Sequence, residues 1–195
     1  MIKKPTGYDE ATAYTGEYET LQPGGHICVI KGATVMQTRN GTEMLKIAFD
    51  IDESDPQKQG GFYGRQFESN KAKYGPDTKW PSGGTHRIGI DGKSVPFFKG
   101  FTTIIMESNP GYVWKWDETT LNGKKFGAIF GEEEYRAQDG SIKSSIRVQQ
   151  LRSVDVILAG VEAPAPKKLS GSSAPASAYT SPAADMYETE ESLPF

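Results

Sequence analysis

Cysteine is almost absent. Cys28 stands alone in 195 residues, which excludes an intramolecular disulfide and a zinc site built on thiolates. Histidine is nearly as scarce: His26 and His86 are the only two, and neither has a second metal ligand at helical or hairpin spacing. No run of 18 apolar residues occurs, so no segment is expected to span a membrane. The opening MIKKPTGYDE lacks the apolar core of a secretory signal, and a soluble, intracellular protein of the cytoplasm is the expectation. Phosphate loops of the GxxxxGK[ST] or GxGxxG type are missing too. The acidic run Asp50, Asp52, Glu53 and Asp55 lacks the sixth-position Gly and final Glu of a calcium loop, and reads as a solvated strand end and turn. A two-metal nuclease site drawn from these carboxylates is the weaker alternative. No metal, cofactor or catalytic set is therefore expected, and the chain reads as a binding protein rather than an enzyme.

What is present begins with one helix. Over VPFFKGFTTIIMESN, Phe97, Phe98, Phe101, Ile104 and Ile105 recur at three- and four-residue spacing, which predicts a helix from Val95 to Asn109. Pro96 suits its first turn, and Asn109-Pro110-Gly111 stops it. The ordered stretches on both sides read as strands. A first is predicted over Gly25 to Gln37, followed by the hairpin signal Arg39-Asn40-Gly41. Then Leu45, Ile47, Phe49 and Ile51 alternate with Met44, Lys46, Ala48 and Asp50 in a half-buried second strand. FYGRQFE reads as a short third strand with Gly64 at a bulge, and Glu68 to Ser94 as a long functional or mobile connection. After the helix, KKFGAIFGEEEYR and SIKSSIRVQQLRSV read as strands four and five around Asp139-Gly140, with Ile142, Ile146 and Val148 facing inward.

The resulting order, β-β-β-α-β-β, predicts a mainly β protein with an OB-fold-like five-stranded barrel, a helix plugging one end. An α+β sheet with one covering helix is the competing architecture. The expected division is an N-terminal arm over 1–23, the barrel over 24–159, and a tail over 160–195. Glu162 to Ala184 has almost no large apolar side chain and is expected to be a disordered linker.

Net charge is −3, but it is unevenly placed. Lys58 to Lys99 holds eight basic residues against three acidic, so +5, while Ser170 to Phe195 holds four acids and no base, so −4. The basic stretch interleaves cations with rings, the composition that suits single-stranded nucleic acid: cations follow phosphates and rings stack on unpaired bases. In an OB-like barrel, strands two and three with the flanking hairpin loops form the ligand face. The expected DNA contacts are therefore Arg39, Lys46, Tyr63, Arg65, Phe67 and Lys143, with Lys71, Lys73, Tyr74, Lys79, Trp80 and Arg87 from the long connection. Trp114 and Trp116 are expected to extend this platform. The competing expectation for these aromatics is barrel core.

The tail closes on Asp185, Glu188, Glu190 and Glu191, followed by Leu193, Pro194 and Phe195. This pattern resembles the C-terminal tip of bacterial single-stranded DNA-binding proteins, in which the tip docks in basic, hydrophobic pockets of replication, recombination and repair proteins. The resemblance implies partner docking through those seven residues. The body is similar to a family of phage and prophage replication-module proteins over roughly Leu21 to Val154, through the Phe- and Gly-rich helix start Phe97 to Phe101, the turn Ser108 to Gly111 and the strand entry Leu121 to Lys124. Members are generally regarded as single-stranded DNA-binding proteins, so the resemblance implies that partner here. Its motifs are fold-defining and transfer no binding residue. The rival expectations are an adaptor or inhibitor of a replication enzyme, an RNA- or duplex-binding protein, and a nuclease; oligomeric state is left open.

Overall fold

The structure, a computed structural model, describes residues 2–9 and 19–169. The Asn-Gly turn joins β1 (Gly24–Gln37) to β2 (Glu43–Ile51) as its chemistry predicts: the Thr38 N–H donates to the Thr42 carbonyl at 2.9 Å, and Gly41 takes φ +80°. On β2 the alternation holds, with Leu45, Ile47, Phe49 and Ile51 buried and Lys46 exposed. β3 (Thr85–Gly89) pairs with β2, while β4 (Lys125–Arg136) and β5 (Ile142–Arg152) form a second hairpin. The sheet order is β3-β2-β1-β4-β5, antiparallel throughout. β3 and β5 are its two edges, so the expected closed barrel is instead an open sheet.

β1 changes partners along its length. Gly24 to Val29 pair with β4, and Cys28 to Gln37 pair with β2, with a register shift between Ile30 and Gly32 that leaves Lys31 in a bulge. Inside, Phe49 meets Tyr63 and Phe126 edge-on at 5.6 Å each, and Phe101 and Ile105 of the next-to-last helix complete the core. That helix, α2 (Val95–Ser108), follows α1 (Phe62–Tyr74) and precedes α3 (Val154–Leu158). Its predicted inward face holds at Phe101 and Ile105, which are buried, and at Phe98 and Ile104, which pack against the core, but Phe97 in its first turn is exposed. Ile157 of α3 packs on Ile27 and Ile129, on the other side of the sheet. Such close packing needs the missing side chain of Gly127, where a Cβ would lie 2.4 Å from Ile157.

FYGRQFE is not a strand. It forms the first turns of α1, and the cause is long-range. Gly61, the N-cap, sits at φ +71° and offers no side chain, so Asp50 of β2 caps the helix: its Oδ1 accepts from the Tyr63 N–H at 2.8 Å and its Oδ2 from the Gly64 N–H at 3.1 Å. Helical rather than two-residue periodicity then splits the expected Tyr63-Arg65-Phe67 face, sending Tyr63 into the core and leaving Arg65 outside. The Glu68 to Ser94 connection is likewise more ordered than its composition suggests, since it contains the rest of α1, a 3-10 turn over Ser82–Gly84 and the true β3. Ile142, expected inward, is exposed near the β4–β5 turn, while Ile146 and Val148 do pack against the core.

The acidic run is not a solvated strand end. Asp50 and Asp55 are buried. Asp55 accepts from the Ile27 N–H at 3.0 Å and faces His26 Nδ1 at 3.1 Å, while His26 Nε2 faces the Gln22 carbonyl at 2.8 Å. Both ring nitrogens thus face oxygen atoms, which fixes the orientation of the ring. Burial acts to raise the Asp55 pKa, but His26 and the Ile27 and Gln59 N–H groups outweigh it and hold it below the usual carboxylate range. Asp52 pairs with Lys125 Nζ at 2.8 Å. Toward the N-terminus, Leu21 is buried in the core and Gln59 bonds the backbone of Thr20 and Gln22, so the end of the expected arm is part of the domain.

Of the expected linker, residues 162–169 run beside the half of β4 that β1 does not reach. The Lys167 N–H donates to the Glu132 carbonyl at 2.8 Å, and the Glu134 N–H donates to the Lys167 carbonyl at 2.9 Å. Its remainder and the seven tip residues, Asp185 to Phe195, lie outside the described residues. No helix among the described residues is long and apolar enough to cross a membrane.

Two predictions follow from these contacts. A Cβ at Gly64 would sit 2.7 Å from Asp50 Oδ2, so Gly64→Ala displaces the cap and lowers stability by about 1–2 kcal/mol in urea unfolding; an unchanged midpoint would show that Asp50 does not hold α1. The second concerns acid. Burial pushes the His86 imidazole down to about 4. The unfolded chain therefore binds this proton at pH values where the folded one does not, and stability falls as pH drops from about 6.5 toward 4. The depressed Asp55 carboxylate adds a loss at lower pH, as its proton binds through the folded value. His86→Leu flattens the upper part of a melting-temperature-against-pH curve and leaves the lower drop; an identical curve would contradict the assignment.

Candidate nucleic-acid interface

The register places three rows of side chains on the outer face of β1, β2 and β3. Gly32, Ala48 and Thr85 form one row, Thr34, Lys46 and Arg87 the next, and Met36, Met44 and Gly89 the third. No acid occurs in the three rows. Thr34, Lys46 and Arg87 are exposed, and nothing lies within 4 Å of where a Cβ on Gly32 would be, so this part of the face is uncovered. Lys46 and Arg87 are direct cross-strand partners. Like charges opposite one another on a sheet destabilise it, which leaves a small standing cost that a bound anion relieves. Arg39 stands at the end of the β1–β2 hairpin, exposed.

The other expected contacts fall in separate places. Tyr63, only 3% exposed, packs against Phe49 and Phe62, where no ligand reaches it; burial raises its phenol pKa well above the ordinary value. Arg65 is exposed but doubly bonded to Glu19, Nη2 to Oε1 at 2.6 Å and Nε to Oε2 at 3.1 Å. Phe67 stacks on Trp80 with centroids 5.4 Å apart, and Trp80 donates its indole N–H to the carbonyls of Gly84 at 3.0 Å and Phe49 at 3.3 Å. Trp80 is thus a pin that ties the α1–β3 connection to β2, a core role rather than a free stacking ring. Lys71, Lys73 and Tyr74 cluster in the last turn of α1, where cations also complement the helix dipole, and Lys79 follows them, exposed. Tyr74 is 69% exposed, with Lys73 Nζ 5.0 Å from its ring centre.

Trp114 and Trp116 do not lie on a strand. They follow α2 and meet Phe98 of its first turns, in a three-ring corner with centroids 6.1 to 6.5 Å apart. Trp114 is half-buried and its indole N–H, shut off from solvent, has no hydrogen-bond partner. Lys143 sits on β5 directly opposite Tyr135, 4.0 Å from Asp139. Sequence reading missed Tyr135 and its companion Arg147, whose guanidinium carbon stands 6.0 Å from the ring centre. The signal was the hairpin register itself, which puts Tyr135, Lys143 and Arg147 on one face.

Comparison with protein-family models finds no match, and comparison with curated proteins finds none either. Functional argument therefore rests on these side chains. They offer exposed cations in a row on a sheet and at a helix end, with accessible rings at Tyr74, Trp116 and Tyr135. The acidic run offers no free carboxylate set, since Asp50, Asp52 and Asp55 are each bonded within the fold.

Proposed function

We propose that this protein binds single-stranded DNA without strong sequence preference, in phage replication or recombination within the bacterial cytoplasm. The observation that carries the reading is the acid-free stretch of the outer face of β1, β2 and β3, open at Gly32, in which exposed Lys46 stands opposite exposed Arg87. Paired cations on a floor of small side chains let a sugar–phosphate backbone approach closely, and phosphate neutralisation supplies sequence-independent affinity. Arg39 at one end and Lys71, Lys73 and Lys79 on the α1 side extend the positive field. The strand order, the long β1 shared between two neighbours and the placement of α2 between β3 and β4 support an OB-like architecture, partly open between β3 and β5. In that architecture the β2–β3 face is the ligand face. The likeness to phage replication-module proteins favours the same partner. The acidic tip ending Leu193-Pro194-Phe195 then recruits replication or recombination proteins, with Phe195 as its apolar anchor and Asp185, Glu188, Glu190 and Glu191 steering it to basic pockets.

Fluorescence anisotropy of a labelled oligo-dT at several salt concentrations tests the reading. Binding is expected at low salt and not competed by an equal length of duplex, with a log–log salt dependence reduced by about 1.4 in the Lys46→Ala/Arg87→Ala double variant, from roughly 0.7 per phosphate contact on single strands. Equal affinity for duplex, or no binding at low salt, would overturn it.

A further inference from the structure

The ring corner behind α2 is built differently from the rest of the molecule. Trp116 is 80% exposed, the most exposed large aromatic side chain among the described residues, and its backbone takes φ +63°. A bulky residue in the left-handed region is strained, and such strain persists where the surroundings enforce it and concentrates at ligand sites. The Trp114 and Phe98 rings lie 6.3 Å and 6.5 Å from the Trp116 ring, most of whose surface is left to solvent. The corner also leaves the buried Trp114 indole N–H unpartnered, so it is not arranged for packing stability alone. Lys99 follows Phe98 and Lys115 lies between the two tryptophans, while the Asp117 carboxylate beyond Trp116 is engaged by the Thr119 N–H and hydroxyl.

We infer that Phe98, Trp114 and Trp116 form a nucleobase-stacking site, with Trp116 as the stacking ring, Trp114 and Phe98 as its wall, and Lys115 and Lys99 available to the adjoining phosphates. An unpaired base is the ligand class that supplies a flat apolar face together with a phosphate anion one sugar away, and a duplex cannot offer it because its bases are already stacked. The site rests on the single-strand reading and divides its labour. The lysines and arginine follow phosphate and respond to salt; the Trp116 ring holds a base and does not.

Intrinsic tryptophan emission and oligo-dT anisotropy, measured on the full chain with Trp116→Ala and Trp116→Phe, test this. Since Trp80 is pinned and Trp114 half-buried, quenching by oligo-dT is expected to come from Trp116 and to vanish in both variants. Trp116→Ala is expected to weaken binding by about tenfold with an unchanged salt dependence, from the cost of losing one base stack, and Trp116→Phe to restore most of the affinity. Quenching and affinity that survive Trp116→Ala would overturn the stacking site alone. Absence of oligo-dT binding by the unsubstituted protein would overturn the single-strand reading and this site with it.

Discussion

The hand-over of β1 from β4 to β2 is the constraint on which the rest depends. Only Cys28 and Val29 pair with both neighbours, so the sheet is two half-sheets joined at the middle of one long strand. The Lys31 bulge sits just beyond that joint and marks where the second half begins. In the first half, Gly25 and Gly127 let Ile157 and Val161 pack tightly over the outer face, so α3 and the chain behind it cover the sheet. In the second half the outer face carries Thr34, Lys46 and Arg87 and stays open at Gly32. One strand thereby yields a stabilised back and an available front.

Elements governed by neighbouring residues were legible in the sequence. The Asn-Gly hairpin, the alternation of β2, the β4–β5 hairpin and the apolar face of α2 are all set within a few residues, and each forms where its pattern puts it apart from Phe97 and Ile142, which are exposed near the starts of α2 and β5. Elements governed at long range were not. α1 is capped by Asp50 from another strand, and no local residue announces its start. β3 is five residues long between glycines, too short to show a period. Mistaking the one for the other moved the expected ligand face from Arg87 to Tyr63, yet Lys46 and Arg87 had both been singled out by charge. Charge placement is legible without the fold; which cations face each other is a matter of register.

The same distinction sorts the aromatics. Composition alone leaves every ring in the basic stretch between base stacking and core. The fold divides them by what their polar atoms do and how much surface they keep. Tyr63 and Trp80 are structural, the first buried among rings and the second bonded to two carbonyls. Tyr74 and Trp116 keep most of their surface in water beside lysines. The acidic run divides likewise: carboxylates that looked like solvated ends are helix cap, ion pair and strand anchor.

The central claim is that the open half of the sheet, and not the covered half, meets the strand. Lysine-reactive footprinting read by mass spectrometry, with and without a saturating oligo-dT, addresses it directly, because Lys46 lies on the open face while the exposed Lys168 lies beside β4 on the covered half. The account predicts that the strand slows modification of Lys46 and leaves Lys168 unchanged. Undiminished reaction at Lys46 with protection at Lys168 would place the strand on the opposite half and contradict it.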